Sequence, residues 1–426
     1  MNIEALYSIF LTCNSVATDT RKIQPNALFF ALKGDNYNAN IFAQEALNKG
    51  AKYAVIDDEK YFKDDKTILV EDTLTALQQL ANFHRKQLKT TLIALTGSNG
   101  KTTTKELINA VLSKKFKTSA TVGNLNNHIG VPLTLLSLTK DTEIGIIEMG
   151  ANHKKEIEFL CKIAEPNFGY ITNFGKAHLE GFGGVEGIIE GKSELYHYIE
   201  TNNELLFVNL DDKLQDEKTK KLKRYTFSTN SNSDVIISNI KADPMVQVTY
   251  KEQTINSNLI GIYNANNINV AITIGDYFSI ESHLIKEAIE NYTPTNNRSQ
   301  LVKKGTNEII LDAYNANPSS MLAAIQNFLQ LEHQNKTIIF GDMFELGSES
   351  IAEHKKIVDL LTETQNIQCF FIGNAFFTNQ IIRKDFYFFS TFEQFSTSFQ
   401  ETLPINGLLL IKGSRGMALE RTLELL

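Results

Sequence analysis

Cysteine is scarce in this chain. There are three in 426 residues, Cys13, Cys161 and Cys369, widely separated and with no CxxC pair. An odd, scattered set excludes a disulfide framework and a zinc knot and fits a reducing compartment. Each reads as a small buried hydrophobe. Basic residues are not in excess either. The net charge of -7 leaves no electrostatic footprint for nucleic acid, although lysines and glycine-rich loops can still bind phosphate locally on an acidic protein. No apolar run approaches the ~18 residues that a membrane span needs. Residues 1–11 carry Glu4 and lack the basic start of a signal peptide. Fixed-period repeats and long low-complexity tracts are absent, and the polar string at 230–233 reads as a loop within a domain. These absences predict a cytoplasmic protein with no nucleic-acid partner and no membrane span.

What is present is a pattern of alternating strands and helices. At ~100–200 residues per domain, the length suggests two or three domains. Three blocks separate, at 1–86, 87–296 and 297–426. The first holds an apolar stretch at 27–32, a strand at 53–56 and a helix over 73–88. The second opens with a strand at 92–95, then a glycine loop, then a helix with Leu107, Ile108, Val111 and Leu112 at helical spacing. Buried-type strands follow at 144–147, 169–171 and 205–208. Residues 225–260 alternate like a small antiparallel insert, and a helix starts near Asn264. The third block has strands at 309–311, 337–340, 370–372 and 408–411 with helices between. The class is α/β: an N-terminal α/β domain, a central parallel-sheet domain and a Rossmann-like C-terminal domain. In such sheets ligands sit beyond the carboxyl ends of the strands.

The strongest local signal is Thr96-Gly97-Ser98-Asn99-Gly100-Lys101-Thr102-Thr103. It lies between an apolar strand and a helix, the context a phosphate loop requires. The glycines let backbone N–H groups curl around phosphate oxygens, and the helix N-terminus adds positive potential. In such a loop Lys101 can reach the β- and γ-phosphates and Thr102 can ligate Mg²⁺. Glu148 ends the strand at 144–147, either beside that Mg²⁺ or pointing to solvent. His178, just past another strand, is by itself more often a structural or surface residue, and Lys192 by itself is a solvated lysine on a helix. A phosphate loop serves NTPases, kinases and ligases alike, so it does not name the reaction.

The motifs as a set narrow the choice. TGSNGKTTTKE from Thr96, GNLNNHIGVPLTLL from Gly123, EMGANHKKEI from Glu148, ITNFGKAHLEGFG from Ile171, GKSEL from Gly191, DAYNANPSSM from Asp312, GDMFELG from Gly341 and KGSRGM from Lys412 resemble the Mur ligase family over essentially the whole chain. The resemblance implies a UDP-sugar domain, a central ATPase domain and a C-terminal domain for the incoming amine. The implied reaction is ATP- and Mg²⁺-dependent addition of D-alanyl-D-alanine to UDP-N-acetylmuramoyl-tripeptide through an acyl phosphate, by a monomer in peptidoglycan synthesis. It implies catalytic roles for Lys101, His178 and Lys192, with Lys192 carbamylated. Thr102, Glu148, His178 and Lys192 would hold two Mg²⁺. The nucleotide would be bound by Gly97, Ser98, Asn99, Gly100, Lys101, Thr102 and Thr103, by Asn264 and Asn267 beside the adenine, and by Arg298 and Asp312. Asn264 could instead cap its helix. Substrate contacts would come from Asn124, Asn126 and Asn127, from Asn315 and Asn317 to the dipeptide, and from Thr20, Arg21 and Gly34 in the first block. There, Asn38-Ala39-Asn40-Ile41 departs from the family's usual Asp-Gly-His-like pattern. The alternatives are a family ligase with another amine, or a phosphate-loop regulatory ATPase.

Overall fold

The computed structural model describes residues 1–426 except 231, 296 and 402. Residue 231 falls within the predicted polar loop, and residue 296 would end the predicted central domain; both lie outside the described residues. The first block is a parallel sheet in the order Ser15–Ala17, Ala27–Phe30, Tyr53–Ile56, Thr67–Leu69. Side chains alternate across a strand, so Ala27–Phe30 feeds two cores. Leu28 and Phe30 face the cluster that holds Leu6, Leu77 and Leu80, while Phe29 faces Ala43, Ala46 and Ile56.

The helix Thr73–Gln87 joins this block to the next, and the predicted boundary at 86/87 falls in its last turn. Asp72 caps its start through the N–H of Thr75, and Arg85 near its end donates to Ala164 O and to Asn167 Oδ1. Asn167 Oδ1 in turn accepts from Leu92 N, at the head of the first central strand.

That central sheet has nine strands. Thr91–Thr96 is an interior strand, third from the Thr118–Ala120 edge, flanked in parallel by Ile144–Glu148 and Phe168–Ile171. The chain leaves Thr91–Thr96 toward the Thr118–Ala120 edge and later returns on the opposite side at Phe168–Ile171. This reversal opens a crevice at the carboxyl ends, where ligands bind in such sheets. The expected antiparallel insert is corrected in part. Arg224–Ser228 pairs in parallel with Leu205–Asn209, and only Val235–Ala242, Met245–Tyr250 and Gln253–Ile260 pair antiparallel with one another. They extend the same sheet, because Val235 and Ile236 continue the parallel pairing from Phe227 and Ser228.

The third block is a six-stranded sheet in the order Gln300–Lys304, Asn307–Asp312, Leu408–Lys412, Lys336–Gly341, Ile367–Ile372, Phe386–Phe389. Every pair is parallel except the first. The carboxyl ends of Asn307–Asp312 and Leu408–Lys412 reach the central crevice, and one apolar cluster runs through all three blocks, from Leu6 and Ile147 to Phe328. Cys161 and Cys369 are buried as expected, whereas Cys13 is only half-buried against that cluster. Among the described residues no helix is long and apolar enough to cross a membrane.

Candidate active site

The loop after Thr91–Thr96 is shaped by two glycines. Gly97 has φ +139°, and a β-carbon there would lie 2.0 Å from Thr172 Oγ1; Gly100 has φ +80° and meets Asn267 in the same way. Both positions need a residue without a β-carbon. The turn is tied to the neighbouring strand end. Ser98 N donates to Asn173 O at 3.0 Å, Ser98 Oγ donates to Gly175 O at 2.6 Å, and Thr172 Oγ1 donates to Asn99 O at 2.6 Å. The helix Lys101–Leu112 starts directly after it, with its first N–H groups at the crevice.

Lys101 Nζ donates to Gly97 O at 2.7 Å and to Ser98 O at 3.2 Å. Burial pushes its pKa below the ordinary lysine value, Glu148 opposes that and Arg298 adds to it. Thr102 Oγ1 donates to Glu148 Oε2 at 3.0 Å, and Asn126 Nδ2 donates to Glu148 Oε1 at 2.8 Å. Glu148 is 2% exposed, so the solvent-facing alternative is wrong: a strand-end carboxylate under the crevice is covered by the segment that carries Asn126. Behind the loop, Thr104 Oγ1 donates to Asn267 Oδ1, Asn267 Nδ2 to Asn264 Oδ1, and Asn264 Nδ2 to Ile260 O. Asn264 therefore does not cap its helix with its side chain.

The third block closes the other wall. Asn317 caps the helix Pro318–Gln330 by accepting from Ser320 N at 2.9 Å, and its Nδ2 reaches Asn99 Oδ1 at 2.7 Å. Ser319 Oγ accepts from Lys176 N at 2.7 Å. Asp312 accepts from Ser299 N and pairs with Lys412 Nζ at 2.6 Å; Lys412 also donates to Asn315 O. The Arg298 guanidinium lies 3.7 Å from the Tyr314 ring centroid, with a buried Nε that has no hydrogen-bond partner among the described residues. His178 Nδ1 is hydrogen-bonded to Glu345, and that bond holds the Glu345 carboxyl below the usual carboxylate range.

Between the walls lies a cavity of about 770 Å³. Ser98, Asn99, Gly100, Lys101, Thr102, Thr103, Glu148, His178, Asn264, Asn267, Arg298 and Asp312 line it, as do Asn124, Asn126, Asn127, Asn315 and Asn317. Gly97 forms the turn beneath without lining it. Lys192 lies behind the wall on the helix Val185–Thr201, and the solvated reading of it is wrong. It is 1% exposed, donates to Ala151 O at 3.0 Å, and sits 4.9 Å from the Phe182 ring centroid. Gly187 and Gly191 let Phe182 pack that closely, since a β-carbon at either would strike it. Thr20, Arg21 and Gly34 are not brought into this cavity. Arg21 is exposed and paired with Asp19, and Gly34 sits in the hairpin of Lys33–Gly34 with Tyr37–Asn38.

Several lining residues were not singled out from sequence. Tyr314, Lys412 and Asn173 lie within quoted motifs, which was the available signal. Tyr263, whose hydroxyl meets Ser299 Oγ at 2.9 Å, lies directly before Asn264 in the segment that also carries Asn267. Among the described residues, no three His, Cys, Asp or Glu side chains form a metal-type group. The Thr102 hydroxyl and Glu148 carboxylate are nonetheless hard oxygen donors beside a phosphate loop. That sparse set fits Mg²⁺, which keeps most of its ligands as phosphates and water.

Residues 95–275 match the Mur ligase middle domain and residues 297–415 the Mur ligase glutamate ligase domain. The chain is 35% identical to the UDP-N-acetylmuramoyl-tripeptide--D-alanyl-D-alanine ligase of Bacillus subtilis, over 96% of this chain and 92% of that protein. The Escherichia coli protein of the same name is 35% identical over 82% and 78%. Among solved structures, a MurF from Acinetobacter baumannii superimposes with a TM-score of 0.85 at 29% identity, covering 99% of this chain and 97% of that one. The MurF ligase from Thermotoga maritima in complex with ADP gives 0.84 at 25% identity, covering 98% and 97%.

Proposed function

The chain belongs to the Mur ligase family, and from that premise we infer that it joins D-alanyl-D-alanine to UDP-N-acetylmuramoyl-tripeptide, converting ATP to ADP and phosphate in peptidoglycan precursor synthesis. One observation supports this beyond the relatives' names. The phosphate loop and the Asn315/Asn317 wall of the third block face each other across one cavity, joined by the Asn99–Asn317 hydrogen bond. A nucleotide held by one wall and an amine held by the other would meet a carboxylate between them.

A carboxylate and an amine do not condense at neutral pH, because the carboxylate lacks a leaving group. In the proposed reaction the terminal carboxylate of the tripeptide attacks the γ-phosphorus and ADP departs, leaving an acyl phosphate. The dipeptide's neutral amine then attacks the acyl carbon, phosphate leaves, and the amine proton is lost. Lys101 offsets charge on the transferring phosphoryl group, and the loop N–H groups cradle the phosphates. Thr102 and Glu148 would hold Mg²⁺, with His178 and a carbamylated Lys192 completing a second site. Bound there, Mg²⁺ would supply charge neutralisation at the phosphates. Arg298, stacked on Tyr314, and Asp312 would contact the nucleotide from the third block. Asn264 and Asn267 brace the loop at Gly100 and would lie beside the adenine. Asn124, Asn126 and Asn127 would meet the tripeptide, while Thr20, Arg21 and Gly34 would bind the uridine end. The docked third block excludes water that would hydrolyse the acyl phosphate. The three free cysteines support a cytoplasmic setting.

The test of amine choice is a panel of D-alanyl-D-alanine, single D- and L-amino acids and diamino acids, each followed by mass spectrometry. The dipeptide adduct is the expected major product, and a single-amino-acid adduct would replace this reading with that of another family ligase. Asn317→Ala removes a helix cap of about 1 kcal/mol and the bond to Asn99. A roughly tenfold rise in KM for the dipeptide is expected, on the scale of one lost hydrogen bond, with a lower melting temperature by calorimetry.

A further inference from the structure

The segment 172–182 of the central block is gripped by the third block at successive points. Lys176 N donates to Ser319 Oγ and Lys176 Nζ reaches Glu353 Oε1 at 3.3 Å. Glu180 packs against Gly347, where a β-carbon would come within 3.0 Å of it. Between these lies the His178 Nδ1–Glu345 hydrogen bond. Both of its members have left-handed backbone, φ +54° at His178 and +62° at Glu345. Neither is glycine, and strained backbone of this kind persists where the surroundings over-determine it. His178 lines the cavity, whereas Glu345 does not and reaches it from the adjoining block.

An imidazole has two different nitrogens, and the partner of one sets the role of the other. A carboxylate only accepts, so the nitrogen facing it carries the proton, and in the neutral ring the other nitrogen keeps its lone pair. We propose that Glu345 is a positioning residue: by accepting from His178 Nδ1 it fixes the ring as the Nδ1–H tautomer, with the Nε2 lone pair available for the reaction. Because the carboxylate comes from the third block and the imidazole from the central one, docking of the two blocks completes the pair. Domain closure would thereby set the electronic state of a cavity residue as well as exclude water. Other contacts hold the docked arrangement independently, through Asn99–Asn317 and Lys176–Glu353, so Glu345 can be changed without releasing the third block.

The part of this proposal that concerns turnover rests on the ligase reading above; the tautomer itself does not. The full-length protein is labelled with ¹⁵N-histidine, its eight histidines are resolved in a long-range ¹H–¹⁵N spectrum with ADP bound, and His178 is assigned by loss of its signal in His178→Asn. The wild type is expected to show His178 as the Nδ1–H tautomer. Glu345→Ala is expected to move it toward the Nε2–H form and to lower kcat about tenfold, the scale seen when an outer partner of a functional histidine is removed, with KM for ATP within twofold. Glu345→Gln keeps an accepting oxygen and should retain the tautomer and most of kcat. A Glu345→Ala protein that keeps the Nδ1–H tautomer, or Ala and Gln variants impaired alike, would overturn the proposal. A wild type with the expected tautomer but no dipeptide-dependent turnover would count against the ligase reading and leave the pair standing.

Discussion

Lys101→Ala lowers kcat/KM for ATP about 10³-fold, equivalent to about 4 kcal/mol, while the protein stays folded. The ammonium sits at the mouth of the phosphate loop, bonded to Gly97 O and Ser98 O. Burial already disfavours its charge, so its field at the cavity is little screened by water and acts strongly on a phosphoryl group in transfer. Removing one such preorganised group typically costs 10²–10³-fold. Ground-state phosphate binding by the loop N–H groups and the helix Lys101–Leu112 survives, so ADP affinity by calorimetry should fall far less than turnover. Equal losses in the two would mean that Lys101 only binds nucleotide, and activity within tenfold of wild type would remove it from the mechanism.

Lys192→Met has a double expected effect: turnover falls at least a hundredfold, while apparent melting temperature rises by a few degrees. The amine is enclosed by the helix Val185–Thr201, Phe182 and Ala151, and among the described residues its hydrogen-bond partner is a carbonyl. Burial holds its pKa well below the ordinary lysine value, Lys101 lowers it further, and Glu156 and Glu194 oppose both. The folded chain therefore holds this proton more weakly than the unfolded chain does. This withdraws stability at neutral pH, and the loss shrinks as pH rises toward the ordinary lysine value. Methionine fills similar volume with no charge to strip of water, so its protein should be more stable near neutrality and lack that rise. In its neutral form, which burial favours, the amine is a nucleophile. Attack on CO₂ forms an N–C bond, releases the amine proton and turns a cation into an anion suited to Mg²⁺. With ¹³C-bicarbonate, the wild type should show a carbamate carbon resonance that Lys192→Met lacks. Wild-type protein without that resonance, fully active with CO₂ removed, would end the carbamate proposal.

The phosphate loop was legible because its requirements are local: a strand, glycines and a helix start fall within a few consecutive residues. The core strands of the third block were legible for a similar reason, as short apolar runs. The strand Gln300–Lys304 was not, because it lies at a sheet edge and is mostly exposed, so no buried face marks it. Arg224–Ser228 was assigned to the wrong part of the sheet because a lone strand carries no signature of its partner's direction. The burial of Lys192 was illegible for another reason: it depends on Phe182 packing over Gly187 and Gly191. The Arg298–Tyr314 stack and the His178–Glu345 bond join residues far apart in the chain, so no local pattern encodes them.

Phosphate release from ATP with UDP-N-acetylmuramoyl-tripeptide, with and without D-alanyl-D-alanine, separates a dipeptide ligase from a plain ATPase. Release is expected to depend on the dipeptide and to match, mole for mole, a pentapeptide product seen by mass spectrometry. Equal release without the dipeptide, and no such product, would contradict it and point to an ATPase that uses the same phosphate loop for another end.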